Sequence, residues 1–300
     1  MNRFLSQFNR LLKEKLKVFL GSESYSSKRD YFLSRVNKFK RMYRLATYKL
    51  RPKPDFIIPG AMKSGTTSMF YYLSRYEKVR PPFRKEIHFF DHNYDEGESW
   101  YRSNFPISAN VKNGLITGES SPYYLFYPRA PKRIKRVTPE AKIIVLLRDP
   151  AERAISHYWH NVRVGTENLN ILDAFKEESE RISGEEEKIK EDGSYYGYNH
   201  VKFSYLERGK YHYQLDKYFR KFERSDVMIL KSSSFFESTS ESMKKVCNFL
   251  GLKYKNREVY RKTNEGEYLK GTPKEVKYWL KTYFEEPNRK LSDKYGVSFE

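Results

Sequence analysis

The stretch from residue 55 to residue 73 constrains the fold of this 300-residue chain more than any other part of it. It begins with a short apolar segment over residues 55–59, passes through a loop containing Gly60 and Gly65, and ends in apolar residues at helical spacing. A buried strand, a glycine-containing turn and a helix start together present backbone N–H groups and the positive end of a helix to an anion. The stretch therefore predicts a phosphate-binding loop between a strand and a helix.

The candidate ligands of this loop are cationic, hydroxyl-bearing or small: Lys63, Ser64, Gly65, Thr66, Thr67 and Ser68. The lysine adds a positive charge, and the hydroxyls add hydrogen-bond donors. The loop of nucleoside triphosphatases reads GxxxxGK[ST], with its lysine after the second glycine. Here a threonine follows the second glycine and the lysine comes earlier, so the machinery for a magnesium triphosphate is not encoded. A plain strand-to-helix turn with a capping threonine is the alternative interpretation.

A second candidate anion site follows the apolar run over residues 142–147. Arg148 comes directly after this run, at the end of a predicted strand where open parallel sheets bind ligands. Ser156 lies eight residues further on, about two helical turns, and is placed to share a ligand with Arg148. Taken alone, the arginine is more typical of a structural contact with Asp149; beside the first loop, it predicts a second clamp on an anion.

Strand and helix patterns alternate through the rest of the chain. Further strands are predicted over residues 115–117, 142–147 and 227–230, and helices over residues 151–164, 205–222 and 240–250. This alternation is typical of an α/β fold, here a P-loop-like parallel β-sheet flanked by helices on both faces. Residues 176–199, which are acidic and then rich in tyrosine and glycine, are expected to form an exposed helix end and a loop at the rim of a cleft.

The net charge of +20 is concentrated near the N-terminus. Residues 1–53 hold 15 Lys/Arg and 3 Asp/Glu, whereas the remaining residues hold 43 and 35. We therefore predict a basic helical appendage over residues 1–53 and a main domain over residues 54–300. Residues 3–20 have the pattern of an amphipathic helix, which either contacts an anionic membrane surface through residues 1–50 or packs on the main domain.

The cysteine content and the hydropathy bear on the compartment. The single cysteine, Cys247, lies in an apolar helical pattern and is expected to be a buried thiol. No apolar run approaches the length of about 18 residues needed to span a membrane. We expect a soluble, cytoplasmic protein, with the inner face of a membrane as a candidate peripheral location. The sequence shows no cluster of metal-ligating residues, and we expect no metal.

A third segment, residues 85–91, reads Lys-Glu-Ile-His-Phe-Phe-Asp. Its carboxylate, Glu86, is a candidate general base beside basic residues, although a solvated glutamate paired with Lys85 is the default interpretation. Together with residues 59–68, 118–124 and 147–160, this segment resembles the heparan-sulfate-type sulfotransferases. The resemblance covers roughly residues 55–300 and includes the segments over residues 264–268 and 283–291.

The resemblance implies a parallel α/β fold and the donor 3′-phosphoadenosine 5′-phosphosulfate (PAPS). By residue correspondence, the loop from Lys63 to Ser68 holds the 5′-phosphosulfate. Arg148 and Ser156 hold the 3′-phosphate. Glu86 matches the catalytic base. The remaining correspondences are Lys63 and His160 as catalytic residues, and Gly266 and Tyr268 in a donor-binding loop; the role of His88 is left open.

Some residues depart from the pattern of the family. Ser120 stands where a lysine is common, Glu265 and Glu267 make the donor loop acidic, and two bridged cysteines are absent. The expected acceptor is therefore a glycan or a small hydroxylated molecule, rather than heparan itself. Two alternatives remain: a P-loop kinase, and a polyanion-binding or nucleic-acid-binding module that uses the excess of positive charge. We expect no nucleic-acid partner, because the organised motifs are typical of a small-ligand site.

Overall fold

A computed structural model describes residues 39–107, 114–255 and 271–299. The chain divides into two compact units, Met1–Lys49 and Leu50–Glu300. In the first unit, residues 39–46 are helical. The amphipathic helix predicted over residues 3–20 lies outside the described residues. Within the described ranges, no helix combines the length and the apolar character needed to cross a bilayer.

The second unit contains a sheet of four parallel strands in the order β2-β1-β3-β4. The strands are β1 (Phe56–Gly60), β2 (Gly118–Ser120), β3 (Lys142–Leu147) and β4 (Val227–Lys231). The central strands are runs of apolar residues because parallel strands covered on both faces bury every side chain. The register between β1 and β3 shifts between Ile57 and Gly60, just before the predicted phosphate loop.

Twelve α-helices are defined in the described part of the second unit. They are α1 (Thr66–Ser74), α2 (Gly97–Ser103), α3 (Ala130–Val137), α4 (Pro150–Arg163), α5 (Ile171–Lys176), α6 (Glu178–Arg181), α7 (Glu185–Glu191), α8 (Tyr198–Lys202), α9 (Tyr211–Phe219), α10 (Ser232–Glu237), α11 (Thr239–Phe249) and α12 (Lys274–Tyr295). Short 3-10 helices cover Tyr48–Leu50, Tyr94–Glu96, Glu207–Gly209 and Arg224–Asp226. Every connection between two parallel strands includes helical segments, as such crossovers require.

Alternate residues of the strands supply two hydrophobic cores, one on each face of the sheet. Ile57 and Ile143 face the core that contains residues of α3 and α9. Ile58 and Ile144 face the core that contains residues of α1 and α11, including the buried thiol of Cys247. The predicted α/β fold, with helices on both faces of a parallel sheet, is therefore confirmed, and so is the prediction for Cys247.

The structure also corrects two predicted element boundaries and adds one helix. The strand predicted over residues 115–117 lies three residues later, at β2, while Ile116 makes an isolated bridge with Val79. The helix predicted over residues 205–222 is confined to α9, because a 3-10 helix precedes it. The long helix α12 was not predicted; it contains Pro287, a residue that normally ends a helical pattern.

A glycine in β2 is required by the packing of the neighbouring strand. A Cβ atom at Gly118 would lie 2.5 Å from ring atoms of Phe56 on β1, closer than any real contact. We expect Gly118→Ala to lower the free energy of unfolding by about 1–3 kcal/mol, because overpacking moves the ring or the strand. Urea denaturation measures this change. Phe56→Leu in the Gly118→Ala background should recover part of the loss; strictly additive losses would contradict the steric explanation.

Candidate active site

A cavity of about 1160 Å³ lies at the carboxyl ends of β1, β3 and β4. Most of the predicted site residues line it: Lys63, Gly65, Thr66, Thr67, Ser68, Glu86, Arg148, Ser156 and His160. Ser64 is fully buried in the same loop. Gly266 and Tyr268 lie outside the described residues. The structure therefore brings the two predicted anion sites and the candidate base to one cavity.

The loop between β1 and α1 is shaped to bind an anion. Gly65 is the N-cap of α1 and has φ 91°, a left-handed conformation that favours glycine. A Cβ atom there would also lie 2.8 Å from the ring of Phe236. Because the cap has no side chain, it makes no side-chain hydrogen bond to the first turn of the helix. The first turn thus presents its positive end to the cavity, as an anion site requires.

Two further features of this loop suit a phosphate or sulfate group. The Ser64 hydroxyl is buried and has no hydrogen-bond partner among the described residues. Lys63 also has a left-handed backbone, with φ 69°, an uncommon conformation for a side-chain-bearing residue. A cavity that combines a helix N-terminus, hydroxyls and a lysine fits the phosphosulfate end of PAPS.

Arg148 lies directly after β3 and connects the two anion sites. Its Nη1 donates to the backbone carbonyl of Lys63 at 3.4 Å. Its Nε and Nη2 donate to Oε2 of Glu152 at 3.0 and 2.9 Å. Asp149 is the N-cap of α4 and accepts from the Glu152 backbone N–H at 2.8 Å. Ser156, two turns along α4, is buried and lines the same cavity.

Glu86 belongs to a short chain of charged groups at the edge of the cavity. Lys85 Nζ lies 3.1 Å from Glu86 Oε1 and donates to Thr67 Oγ1 at 2.8 Å, so it joins the base to the anion loop. On the other side, His88 Nε2 lies 3.7 Å from Glu86 Oε2, and His88 Nδ1 lies 2.7 Å from Asp91 Oδ2. The imidazole is thus held between two carboxylates.

These contacts determine the protonation states of Glu86 and His88. Burial disfavours the protonated imidazole, but the hydrogen bond to Asp91 and the negative charges of Asp91 and Glu86 together outweigh it and raise the pKa of His88 to about 10. The neighbouring His88, followed by Lys85, lowers the pKa of Glu86 to about 2 against the effect of burial. At neutral pH, Glu86 is therefore an ionised carboxylate and His88 is an imidazolium.

His88, Asp91 and His92 form a group that the sequence analysis did not recognise. One potential ligand atom from each lies within 4.8 Å of the others, a spacing compatible with a metal ion. However, His88 already uses Nδ1 on Asp91, and a metal needs the neutral imidazole. Its raised pKa opposes that form. The geometry is better explained by a hydrogen-bonded pair than by a metal site, and the absence of a metal stays a prediction.

Two histidines of α4 line the cavity. Burial, followed by the charge of Lys63, lowers the pKa of His160, and His160 Nδ1 lies 3.3 Å from Arg163. His157 is fully buried, its pKa lies well below the ordinary value because of burial, and its Nδ1 has no partner among the described residues. Both side chains are therefore neutral hydrogen-bonding groups beside the cations.

The sequence analysis missed the role of Lys85 in joining Thr67 to Glu86. It also missed several residues that line the cavity: His157, Arg208, and the serines Ser232, Ser233 and Ser234. The serine run follows β4, so its position at the carboxyl end of a predicted parallel strand was a usable signal. No sequence pattern around Arg208 predicts that it belongs to the site. Its position becomes apparent only in the fold, where its guanidinium lies 4.8 Å from the ring centre of Tyr123.

Comparisons with known proteins agree with this geometry. Residues 53–291 match the model of the sulfotransferase domain family. The chain is 37% identical over 115 residues to the membrane-associated sulfotransferase kil1 of Dictyostelium discoideum, covering 38% of this chain and 24% of that protein. It is 30% identical over 202 residues to the heparan sulfate glucosamine 3-O-sulfotransferase 6 of Mus musculus, covering 67% of this chain and 53% of that protein.

A solved structure shares the fold. The crystal structure of a sulfotransferase from Alicyclobacillus acidocaldarius superposes with a TM-score of 0.58 at 27% sequence identity, over 81% of this chain and 95% of that chain. By contrast, the matches to the two curated relatives span about a quarter and about half of their lengths. The similarity to those two proteins thus covers only a part of each.

The charge pattern around His88 makes stability depend on pH. A raised histidine pKa contributes stability that is complete below the unfolded pKa of about 6.5 and is lost as the pH rises towards 10. We expect His88→Asn, which tolerates the left-handed backbone of this position, to lower Tm by roughly 3–6 °C near pH 6. Thermal unfolding should show this deficit shrinking towards pH 10.

His92→Asn is the matched control, because burial and neighbouring cations lower the pKa of His92. Its Tm deficit should not shrink with rising pH. A His88→Asn deficit that is the same at both ends of the pH range would contradict the ion-paired state of His88.

Proposed function

The chain belongs to the sulfotransferase domain family, and we propose that it transfers a sulfuryl group from PAPS to a hydroxyl or amine of a glycan or small hydroxylated acceptor. One observation carries the proposal: two anion sites and an ionised carboxylate line a single cavity. Two anion sites suit a donor with phosphate groups at both the 3′ and the 5′ position of its ribose. The carboxylate suits removal of a proton from the acceptor.

The donor would lie along the carboxyl edge of the sheet. Lys63, Ser64, Gly65, Thr66, Thr67 and Ser68 would hold the phosphosulfate end. Arg148 and Ser156 would hold the 3′-phosphate, and Gly266 and Tyr268 are proposed to complete the nucleotide site. When bound, PAPS supplies the sulfuryl group and a phosphate leaving group. Lys63 would stabilise the negative charge that develops on that phosphate, as a fixed cation in a partly desolvated cavity does.

Glu86 would accept the proton of the attacking hydroxyl. Its low pKa keeps it ionised but makes it a weak base in the arrangement described here. Lys85 bridges Glu86 and Thr67, so an anion in the loop competes for the lysine. Weaker pairing with Lys85 would raise the pKa of Glu86 when the donor binds, because that pairing is one of the contacts, after the one with His88, that lower it. His160, neutral beside Lys63, would donate a hydrogen bond to the transferring group.

Aromatic side chains next to His88, the ion-pair partner of Glu86, support a glycan acceptor. The ring of His92 stacks on Tyr123 at 5.2 Å and lies 4.6 Å from Tyr196. Tyr196 is nearly half exposed. Flat aromatic faces with polar edges suit the alternating apolar and hydroxyl surfaces of a sugar ring. One of the relatives is named for action on the glucosamine of heparan sulfate, a glycan.

The basic residues 1–53 support a second element of the proposal, peripheral contact with an anionic membrane surface. The cytoplasmic location inferred from the cysteine content stays a prediction.

Replacing Glu86 by glutamine removes the proton acceptor while keeping the size of the side chain. We expect Glu86→Gln to lower kcat by about 10²–10⁴-fold, the range for loss of a general base. The dissociation constant for adenosine 3′,5′-bisphosphate should change by less than about threefold. Transfer of labelled sulfate and calorimetric titration measure the two quantities. Glu140→Gln, the same change on the exposed surface, is the control; loss of bisphosphate binding in Glu86→Gln would refute the base assignment.

Arg148→Ala tests the 3′-phosphate site. A charge-assisted pair lost on this phosphate should weaken binding of adenosine 3′,5′-bisphosphate by about 10–100-fold, with a change below about threefold for adenosine 5′-monophosphate. Calorimetry of both ligands gives the comparison, and Arg220→Ala on the exposed end of α9 is the control. Equal losses for both nucleotides would show that Arg148 does not bind the 3′-phosphate.

A further inference from the structure

A buried carboxyl group lies beneath the segment that carries Glu86. Glu119 is in β2, has no solvent exposure and does not line the cavity. Three hydroxyls donate to it: Tyr101 at 2.6 Å, Ser121 at 2.9 Å and Tyr124 at 3.3 Å. Burial of a carboxyl is costly unless hydrogen bonds compensate it, so a group satisfied in this way is part of a specific arrangement.

Two of these hydroxyls extend the network to the backbone of the catalytic segment. The backbone N–H of His88 donates to Ser121 Oγ at 3.2 Å, and the backbone N–H of Phe89 donates to the Tyr124 hydroxyl at 2.7 Å. A backbone N–H can only donate, so each hydroxyl accepts from the backbone and gives its own proton to Glu119. The directions of all the hydrogen bonds are therefore mutually consistent with a carboxylate at their centre.

The backbone held in this way is conformationally costly. Glu86 and His88 both have φ 54°, in the left-handed region that side-chain-bearing residues rarely occupy. Such conformations persist where the surrounding structure fixes them. The two N–H contacts at His88 and Phe89 are fixed points next to these strained residues.

We propose that Glu119 is a positioning residue for sulfuryl transfer. Through Ser121 and Tyr124 it fixes the backbone at His88 and Phe89. That backbone in turn aims the carboxylate of Glu86 and the imidazole of His88. The inference rests on the function proposed above for the role of Glu86, whereas the effect of Glu119 on the segment itself can be measured without any activity.

Protonation of Glu119 would break the pattern, because a protonated carboxyl needs an acceptor where it now meets only donors. Burial raises the pKa of Glu119 to about 7, and the charge of Asp91 also raises it, while the hydroxyl donors oppose the rise. The titratable side chains that face this carboxyl are Tyr101, Tyr124, Tyr218 and Asp91. The kcat of the wild type should therefore fall as the pH drops through about 7. The pH profile of kcat for Glu119→Gln should lack this acid limb.

The activity test compares Glu119→Gln with Tyr101→Phe. In glutamine one carboxylate oxygen is replaced by an NH₂ group, which is a donor and faces a hydroxyl that also donates. The hydrogen bonds that connect this side chain to the backbone through Ser121 and Tyr124 should therefore loosen. We expect kcat to fall by about 10–100-fold, as small misplacement of a catalytic group does, with donor binding unchanged within about threefold. Tyr101→Phe removes a hydroxyl that donates to the same carboxylate but has no contact with a backbone N–H of the segment. Because it removes a donor that lowers the pKa of Glu119, it should move the acid limb of the pH profile to higher pH, while its kcat on the alkaline plateau stays within about threefold of the wild type.

Ser121→Ala and Tyr124→Phe keep the inference testable if Glu119→Gln folds poorly. Each removes one link to the segment and should lower kcat by about 3–10-fold, an effect that should not add to that of Glu119→Gln. Thermal unfolding of all the variants separates misplacement from loss of folded protein. Full additivity, or equal kcat losses in Tyr101→Phe, would overturn the inference.

A readout independent of activity is the titration of His88 in the full-length protein, followed by NMR of the imidazole nitrogens and assigned with His88→Asn. Glu119→Gln should lower the His88 midpoint by about one pH unit or more as the contacts with Asp91 and Glu86 loosen, and Tyr101→Phe should leave it in place. A shifted midpoint in a protein that transfers no sulfate would refute the proposed function, while supporting the effect of Glu119 on the geometry of the segment. An unshifted midpoint with unchanged kcat in an active enzyme would refute the positioning role alone.

Discussion

The site depends on the turn at Gly65, where β1 ends and α1 begins. The left-handed backbone and the close approach of the Phe236 ring leave room only for glycine, and they place the helix N-terminus at the carboxyl edge of the sheet. Since β1 and β3 are adjacent and parallel, Arg148 emerges at the same edge and donates to the Lys63 carbonyl. Two predicted anion-binding segments that are distant in sequence thus meet because their strands are adjacent and parallel.

Two carboxyl groups near this edge are stabilised in different ways, one by ion pairs and the other by hydrogen bonds from hydroxyls. Lys85 and His88 keep the partly exposed Glu86 ionised, and Asp91 in turn holds His88. Beneath them, the hydrogen bonds to the Glu119 carboxylate from described side chains all come from hydroxyls, and burial raises its pKa to about 7. The segment over residues 85–91 thus carries ion pairs on its side chains and is bonded through its backbone to the hydroxyls around Glu119, and in our proposal its geometry depends on both.

The sequence predicted the candidate site best where its features are encoded by a few consecutive residues. The turn at Gly65 and the position of Arg148 after an apolar strand are recognisable in a few consecutive residues, and the structure places both at one cavity. The network of Glu119 could not be predicted, because it joins segments more than 30 residues apart through backbone N–H groups that carry no sequence signal. Helix α12 was not predicted because Pro287 interrupts its helical pattern. In the structure the helix continues past this proline, and Leu291 packs in the core that also contains residues of α3 and α9.

The central claim is that this cavity binds a nucleotide phosphorylated at both the 3′ and the 5′ position. Calorimetric titration of the full chain with adenosine 3′,5′-bisphosphate, beside adenosine 5′-monophosphate and ATP with Mg²⁺, tests it most directly. The account predicts tight binding of the bisphosphate without a metal, and much weaker binding of the other two nucleotides. Preference for ATP with Mg²⁺ would contradict it and favour a kinase.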